Sequence, residues 1–287
     1  LNQLDPQNHP IDLAVQQYRE TLRMNPRHAD SYYNLGLLLT RSASELNTRA
    51  DELMKQGRTE EANRLYEQAR EAMEESGELF DKSIKFNKKH FKALNNRGNQ
   101  LFNEGKTRQA IRMYEMAVKS NPNYINALMN LALAHRQIGE CQKAFKYLDQ
   151  LKKRRLGHLH KLKVEYMYGA CLDETGKTEQ GMKVLKDAFD AYSDKSQSRS
   201  VEYGSIAIKM ARIDNALGKH ERAVRWLEAI MDDRRPAFQE ADAMYLLAAN
   251  YLGMGDRMKA AEAFKAVKEK FPGTQFAKEA QKQLNNM

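Results

Sequence analysis

The chain has 287 residues, more than one compact core ordinarily serves, so it holds either two domains or an array of repeats. Pro and Gly are scarce, at 6 and 15, and the dominant Ala, Leu, Glu, Lys, Arg, Gln and Met lose little side-chain freedom in helices, which points to an all-α fold. The net charge is +9, and no run of about 18 apolar residues exists to span a bilayer as a helix.

In chain order, an amphipathic helix over 11–25 is closed by Pro26. A frame then recurs at Gly57, Gly105, Gly139, Gly176, Gly218 and Gly255. Five residues on stands a small residue: Ala62, Ala110, Ala144, Gly181, Ala223 and Ala260. Nine on stands a large one (Tyr66, Tyr114, Leu148, Leu185, Leu227, Phe264), and twelve on an apolar one (Ala69, Ala117, Leu151, Ala188, Ile230, Val267). The glycine supplies the positive φ that ends one helix, and the small residue lets the next cross close to it. Seven residues before most of these glycines comes another small residue, as at Gly98, Ala132, Gly169, Ala211 and Ala248. Pro122 and Pro272 close two later helices as Pro26 does.

Leu94, Gly98, Leu101, Gly105, Ala110, Tyr114, Ala117 and Pro122 together resemble the 34-residue pattern of the tetratricopeptide repeat family. The resemblance implies a right-handed helical-hairpin solenoid that works as a scaffold or adaptor for other proteins. It divides the chain into a partial repeat at 1–28, repeats at 29–90, 91–124, 125–161, 162–199, 200–240 and 241–273, and a capping helix over 274–287. Phe271, Pro272, Gly273, Thr274 and Ala277 resemble the closing repeat of bacterial envelope members. Glycine intervals of 37, 42 and 37 after Gly139 read as longer connections, with a polar, flexible one at 193–200 where a looser C-terminal block is hinged.

The unit at 29–90 is 28 residues too long. Ala29 to Gly57 spans 28 residues where Phe91 to Gly105 spans 14, and the return helix gains another 14 between Ala69 and Ser83. The apolar positions Leu35, Leu39, Ala43, Leu46, Ala50 and Leu53, then Ala62, Tyr66, Ala69, Met73, Ser76 and Phe80, step by threes and fours. This is the seam of an antiparallel coiled coil, a helical arm with its tip near 57. Ser76-Gly77 leaves the alternative of an ordinary unit inserted at 43–74. Residues 42–83 carry six Lys/Arg against eleven Asp/Glu, whereas 88–163 carry seventeen against four. The acid reads either as a solvated face or as a docking arm for a neighbouring copy's basic body, which would give weak self-association.

The family resemblance implies a peptide-binding groove lined by first helices. Asn34, Asn96 and Asn130 take the sixth place of successive units, and carboxamides both donate to and accept from a peptide backbone. Asn is also common there in the family at large. Asn99, Asn130 and Lys163 match three positions with which chaperone adaptors of this family clamp a terminal carboxylate; Asn95 replaces a Lys and Met167 an Arg, so a different ligand end is expected. Lys92, Phe102, Met129, Leu133 and Tyr166 complete the groove, suited to an acidic or extended, partly apolar peptide. Lys152, Lys153, Arg154, Arg155 and Lys161 form an interaction patch. It lacks an ordered set of stacking aromatics, which weighs against nucleic acid.

Chemistry is not expected. No phosphate-loop, dinucleotide, nucleophile-elbow or HExxH motif occurs. His158 and His160 lack a third ligand at helical spacing, and Cys141 and Cys171 lack CxxC spacing and read as small buried apolar residues, so neither metal nor cofactor is anticipated. Trp226 reads as a packing residue. With no basic-then-apolar leader after Leu1, a signal peptide is expected to be absent or already removed. The cytoplasm is then the expected compartment and the bacterial periplasm the alternative.

Overall fold

A computed structural model describes residues 10–193, 200–231 and 237–287, and among these there are fourteen helices and no strand. The chain forms two compact units, 1–138 and 139–287. Unit 1 holds α1 (Pro10–Met24), α2 (Ala29–Lys55), α3 (Thr59–Phe86), α4 (Phe91–Asn103), α5 (Thr107–Ser120) and α6 (Ile125–Gln137). Unit 2 holds α7 (Cys141–Lys152), α8 (His158–Glu174), α9 (Thr178–Ala191), α10 (Val201–Ala216), α11 (His220–Glu228), α12 (Ala237–Gly253), α13 (Arg257–Lys270) and α14 (Gln275–Asn286). Within each unit, helices consecutive in sequence pack together.

The six frame glycines have φ between 70° and 80°, a region closed to side chains with a Cβ except under strain. The Gly105 N–H reaches the Phe102 carbonyl at 3.0 Å and the Lys106 N–H the Leu101 carbonyl at 2.8 Å, which satisfies the last carbonyls of α4 and turns the chain into α5. At the crossing of these helices, a Cβ on Gly98 would stand 2.5 Å from Cε1 of Tyr114. Tyr114 is 2% exposed and cannot swing away. Leu94, Ala117 and Ala127 form the neighbouring core, closed by Phe91 against Tyr124 with ring centroids 4.8 Å apart.

The arm is continuous. The helices α2 and α3 have 27 and 28 residues, against 13 and 14 in α4 and α5, and Ser76-Gly77 leaves α3 unbroken. Ala43, Ala50, Ala62 and Ala69 are buried along the seam, and Tyr66 donates to Asp51 at 2.5 Å. At the base, Ser76 donates to the Gly36 carbonyl at 2.8 Å, and a Cβ on Gly36 would meet the Phe80 ring at 2.9 Å. The two residue sets of equal spacing in α3 therefore divide the labour: Ala62, Tyr66 and Ala69 serve the projecting part, and Ser76, Phe80 and Ser83 serve the repeat itself. About 14 added residues per helix carry the tip roughly 21 Å outward.

In unit 2 the added glycine spacing goes partly into helix. The helices α8, α10 and α12 have 17, 16 and 17 residues against 13 for α4 and α6, and start three or four residues ahead of Leu162, Gly204 and Ala241. Most of the connection expected to be a flexible hinge, 194–199, lies outside the described residues. One core gathers Leu162, Leu185, Phe189, Tyr203, Ile206, Met210, Ala223 and Leu227; another gathers Ala248, Ala260, Phe264, Val267 and Ala280. Beside the first, fully buried Asp214 accepts from Arg222 Nε at 2.7 Å and Trp226 Nε1 at 2.8 Å. Trp226 also meets Phe189 edge-on at 5.5 Å, so it packs as expected and carries a polar bond besides. Thr274 caps α14, its Oγ1 accepting from the Ala277 N–H at 3.2 Å.

Three substitutions test these contacts through stability. Gly98→Ala is expected to cost about 1–3 kcal/mol in urea unfolding followed by circular dichroism, because the ring of Tyr114 must be displaced. Gly157→Ala, with nothing within 4 Å of the new methyl, should change stability by less than about 0.5 kcal/mol. Asp214→Asn is expected to weaken unit 2 by about 2 kcal/mol, less than a fully buried pair because the Arg222 side chain is 39% exposed. The sole tryptophan reports this directly, so an unchanged fluorescence midpoint would refute the anchoring role.

Candidate functional site

Four of the sequence-derived asparagines converge in unit 1. On α6, Asn130 donates one Nδ2 hydrogen to Asn95 Oδ1 at 2.9 Å and the other to Asn99 Oδ1 at 2.8 Å, both on α4. Asn99 Oδ1 also accepts from the Tyr114 hydroxyl at 3.0 Å, and Asn95 Nδ2 donates to Asn96 Oδ1 at 3.3 Å. Asn95 is buried, whereas Asn96, Asn99 and Asn130 are half-buried. With both amide hydrogens of Asn130 spent, its Oδ1 is the group it can offer an incoming N–H.

The network continues toward α2. The Tyr33 hydroxyl stands near Asn96, and burial, helped by the nearby Tyr124, holds it above its ordinary range. His90, the cap of α4, accepts from the Ala93 N–H through Nδ1 at 3.1 Å, which leaves Nε2 to donate to Asp30 on α2 at 3.0 Å. The His90 and Tyr33 rings lie 4.8 Å apart. Asn34, half-buried, is the next residue on α2. Lys92 is exposed on α4, Phe102 and Leu133 are half-buried, and Met129 is buried at 8% exposure.

The remaining expected residues stand on unit 2. Lys163 pairs with Glu202 at 3.1 Å, and Tyr166 packs against the core around Leu162 and Tyr203. Of the basic patch, Lys153 and Arg155 are exposed, while Lys152 pairs with Glu165 at 2.9 Å and lies over the Tyr168 ring at 4.2 Å. Lys152, Arg154 and Lys161 line a surface cavity of about 440 Å³ with Glu165, Asp187 and Tyr192, so its lining carries both signs.

Much of the acid on the arm is already matched. Glu61 pairs with Arg58 at 2.5 Å, Glu67 and Glu74 with Arg70, Glu75 with Arg19 of α1 at 3.2 Å, and Asp81 with Arg97 at 3.1 Å. Hydrogen bonds from Arg58 and Arg70 hold the Glu61 and Glu67 carboxyls below their ordinary range.

Sequence reasoning placed the asparagines but missed Tyr114, which holds Asn99, and the contact of Tyr33 with His90 beside them. One signal was present: a buried Tyr at the seam, where Leu would fill the space, has a hydroxyl that needs a partner. Among the described residues, no helix is long and apolar enough to cross a membrane.

Models of the tetratricopeptide repeat match residues 7–42, 95–156 and 242–274. No curated protein sequence matches the chain. Among solved structures, a tetratricopeptide repeat protein from Parabacteroides merdae is 16% identical, with 96% of this chain and 93% of that one covered and a TM-score of 0.64. Yeast Tom70 is also 16% identical, covering 96% of this chain and 58% of its own, with a TM-score of 0.62. The type IV pilus biogenesis factor PilW is 14% identical, with coverage of 83% and 98% and a TM-score of 0.58. The repeat matches, the glycine-turned helix pairs and these folds agree: the chain belongs to the tetratricopeptide repeat family.

Proposed function

We propose that this chain is a non-catalytic adaptor that holds a peptide segment of a partner protein on the α4–α6 face of unit 1. The observation that supports the reading is Asn130 bridging Asn95 and Asn99, which fixes a row of carboxamides before any ligand arrives. Groups held in place lose little freedom on binding and make backbone bonds without demanding a sequence. Exposed Lys92, with half-buried Phe102 and Leu133, suits an acidic, partly apolar segment. Structural neighbours include a protein described as a pilus biogenesis factor and one in a complex, the Cut9–Hcn1 tetramer, a setting in which such folds hold other chains.

The arm supports a second reading, weak self-assembly through its charged faces. Its seam is closed by buried alanines, so the projecting part is a folded element whose outer surface is spare to the repeat. The internal pairing of Glu61, Glu67, Glu74, Glu75 and Asp81 leaves this the lesser reading.

A library of displayed acidic peptides selected on the full chain should yield binders whose affinity falls at least about tenfold when Asn96→Ala and Asn130→Ala are combined, with helicity unchanged. Undiminished binding would remove the asparagine row from the site. For the arm, deleting 43–56 with 59–72 keeps Gly57, Arg58 and the Ser76, Phe80 and Ser83 base. If arm-driven assembly operates, light scattering at low salt should show association of the full chain that the deletion abolishes. A full chain that stays monomeric at high concentration would dismiss that reading.

A further inference from the structure

Cys141 opens α7, while Cys171 and Glu174 stand one turn apart near the end of α8. The two cysteines are thirty positions apart, so no short motif announces them, but the packing of α7 on α8 brings all three side chains together. The Cys141 thiol donates to Glu174 Oε2 at 3.3 Å, and the two sulfurs and a carboxylate oxygen all lie within 4.8 Å of one another. Both cysteines are buried, at 3% and 0% exposure, whereas Glu174 reaches solvent.

We propose that Cys141, Cys171 and Glu174 form a binding site for a thiophilic divalent cation of the zinc class. Two sulfurs and one carboxylate are a donor set that suits zinc and is foreign to calcium or magnesium, which take oxygen alone. In tetrahedral zinc coordination, sulfur and oxygen ligands stand about 3.5 Å apart and two sulfurs about 3.8 Å. The Cys141–Glu174 separation of 3.3 Å is close to that length, and the other separations, none above 4.8 Å, need shorten by no more than about 1 Å. The residues of α8 are three apart, which places both ligands on one helix face. Exposed Glu174 gives the ion a way in and leaves the fourth coordination position to water.

Apolar packing alone explains the burial of two cysteines, as the sequence suggested, but does not call for a carboxylate at hydrogen-bonding distance from one of them. Without a cation, the Cys141 thiol directs its proton at Glu174. Uptake of the ion then expels two protons, forms two metal–thiolate bonds and one metal–carboxylate bond, and leaves the site with a net charge of −1. The result is a clasp between α7 and α8, fastening the start of unit 2.

The test uses tag-free full chain, reduced with a phosphine under anaerobic conditions and titrated with Co²⁺, then with Zn²⁺ in competition. The expected result is one equivalent of Co²⁺ with thiolate charge-transfer and tetrahedral visible bands, both discharged by Zn²⁺. Cys141→Ser and Cys171→Ser should each weaken binding by about 100-fold, and Glu174→Gln, at an exposed position that folding tolerates, by about tenfold. Zinc at a hundredfold excess over its Kd should raise the Tm of the native chain by about 5 °C and leave the double cysteine variant unmoved. The proposal is overturned if stoichiometric Co²⁺ gives no thiolate band, if the band survives in the double variant, or if Glu174→Gln binds Zn²⁺ as tightly as the native chain. A thiol pair that closes to a disulfide under oxidant, while the reduced chain takes up no metal, overturns it equally.

Discussion

Close approach at a small residue is the constraint on which each helix pair of this chain depends. Short helices rich in charged residues do not persist alone in water, and a narrow apolar face must be covered to hold them. Gly98 opposite Tyr114 shows how this is done: the missing side chain on one helix makes room for a ring on the next, and the ring fills the seam. The left-handed glycine at the turn is the companion requirement, since it reverses the chain within a few residues while satisfying the last carbonyls of the helix it ends. Loss of either opens the pair.

The candidate site is a consequence of this spacing. Because α4 and α6 are held by the same crossing with α5 between them in sequence, residues in the same register come to face one another, and Asn130 reaches two carboxamides of α4 at once. Tyr114 links the two levels of organisation, its ring closing the α4–α5 seam and its hydroxyl holding Asn99. Tyr33 and His90 extend the same polar layer to α2. The polar row is therefore fastened to the apolar core beneath it. Asp214 plays the comparable part in unit 2, where a buried carboxylate is tolerable because Arg222 and Trp226 surround it with donors.

Repeat periodicity was readable because glycine, small and large residues have distinct steric duties at fixed offsets. The long hairpin was readable from its doubled spacing. Which part of α3 serves the arm and which the repeat was not, since Ala62, Tyr66 and Ala69 have the same spacing as Ser76, Phe80 and Ser83, and only contact with Gly36 separates them. The wider glycine intervals of unit 2 read as loop, because one extra turn of helix leaves the offsets after each glycine untouched. The asparagines were legible as a row, but their hydrogen bonds to each other were not, because a bond between residues 31 or 35 apart has no trace in local pattern. The meeting of Cys141 with Cys171 and Glu174 was hidden for the same reason.

The central claim is that a partner peptide lies on the carboxamide row of unit 1, and side-chain amide resonances observe that row directly. With nitrogen-15 confined to asparagine, addition of a selected acidic peptide should shift the Nδ2 signals of Asn96 and Asn130, with a smaller change at Asn34, and leave Asn250 of unit 2 where it is. Signals of Asn96 and Asn130 that stay fixed at saturating peptide, while others move, would place the ligand elsewhere and contradict the claim.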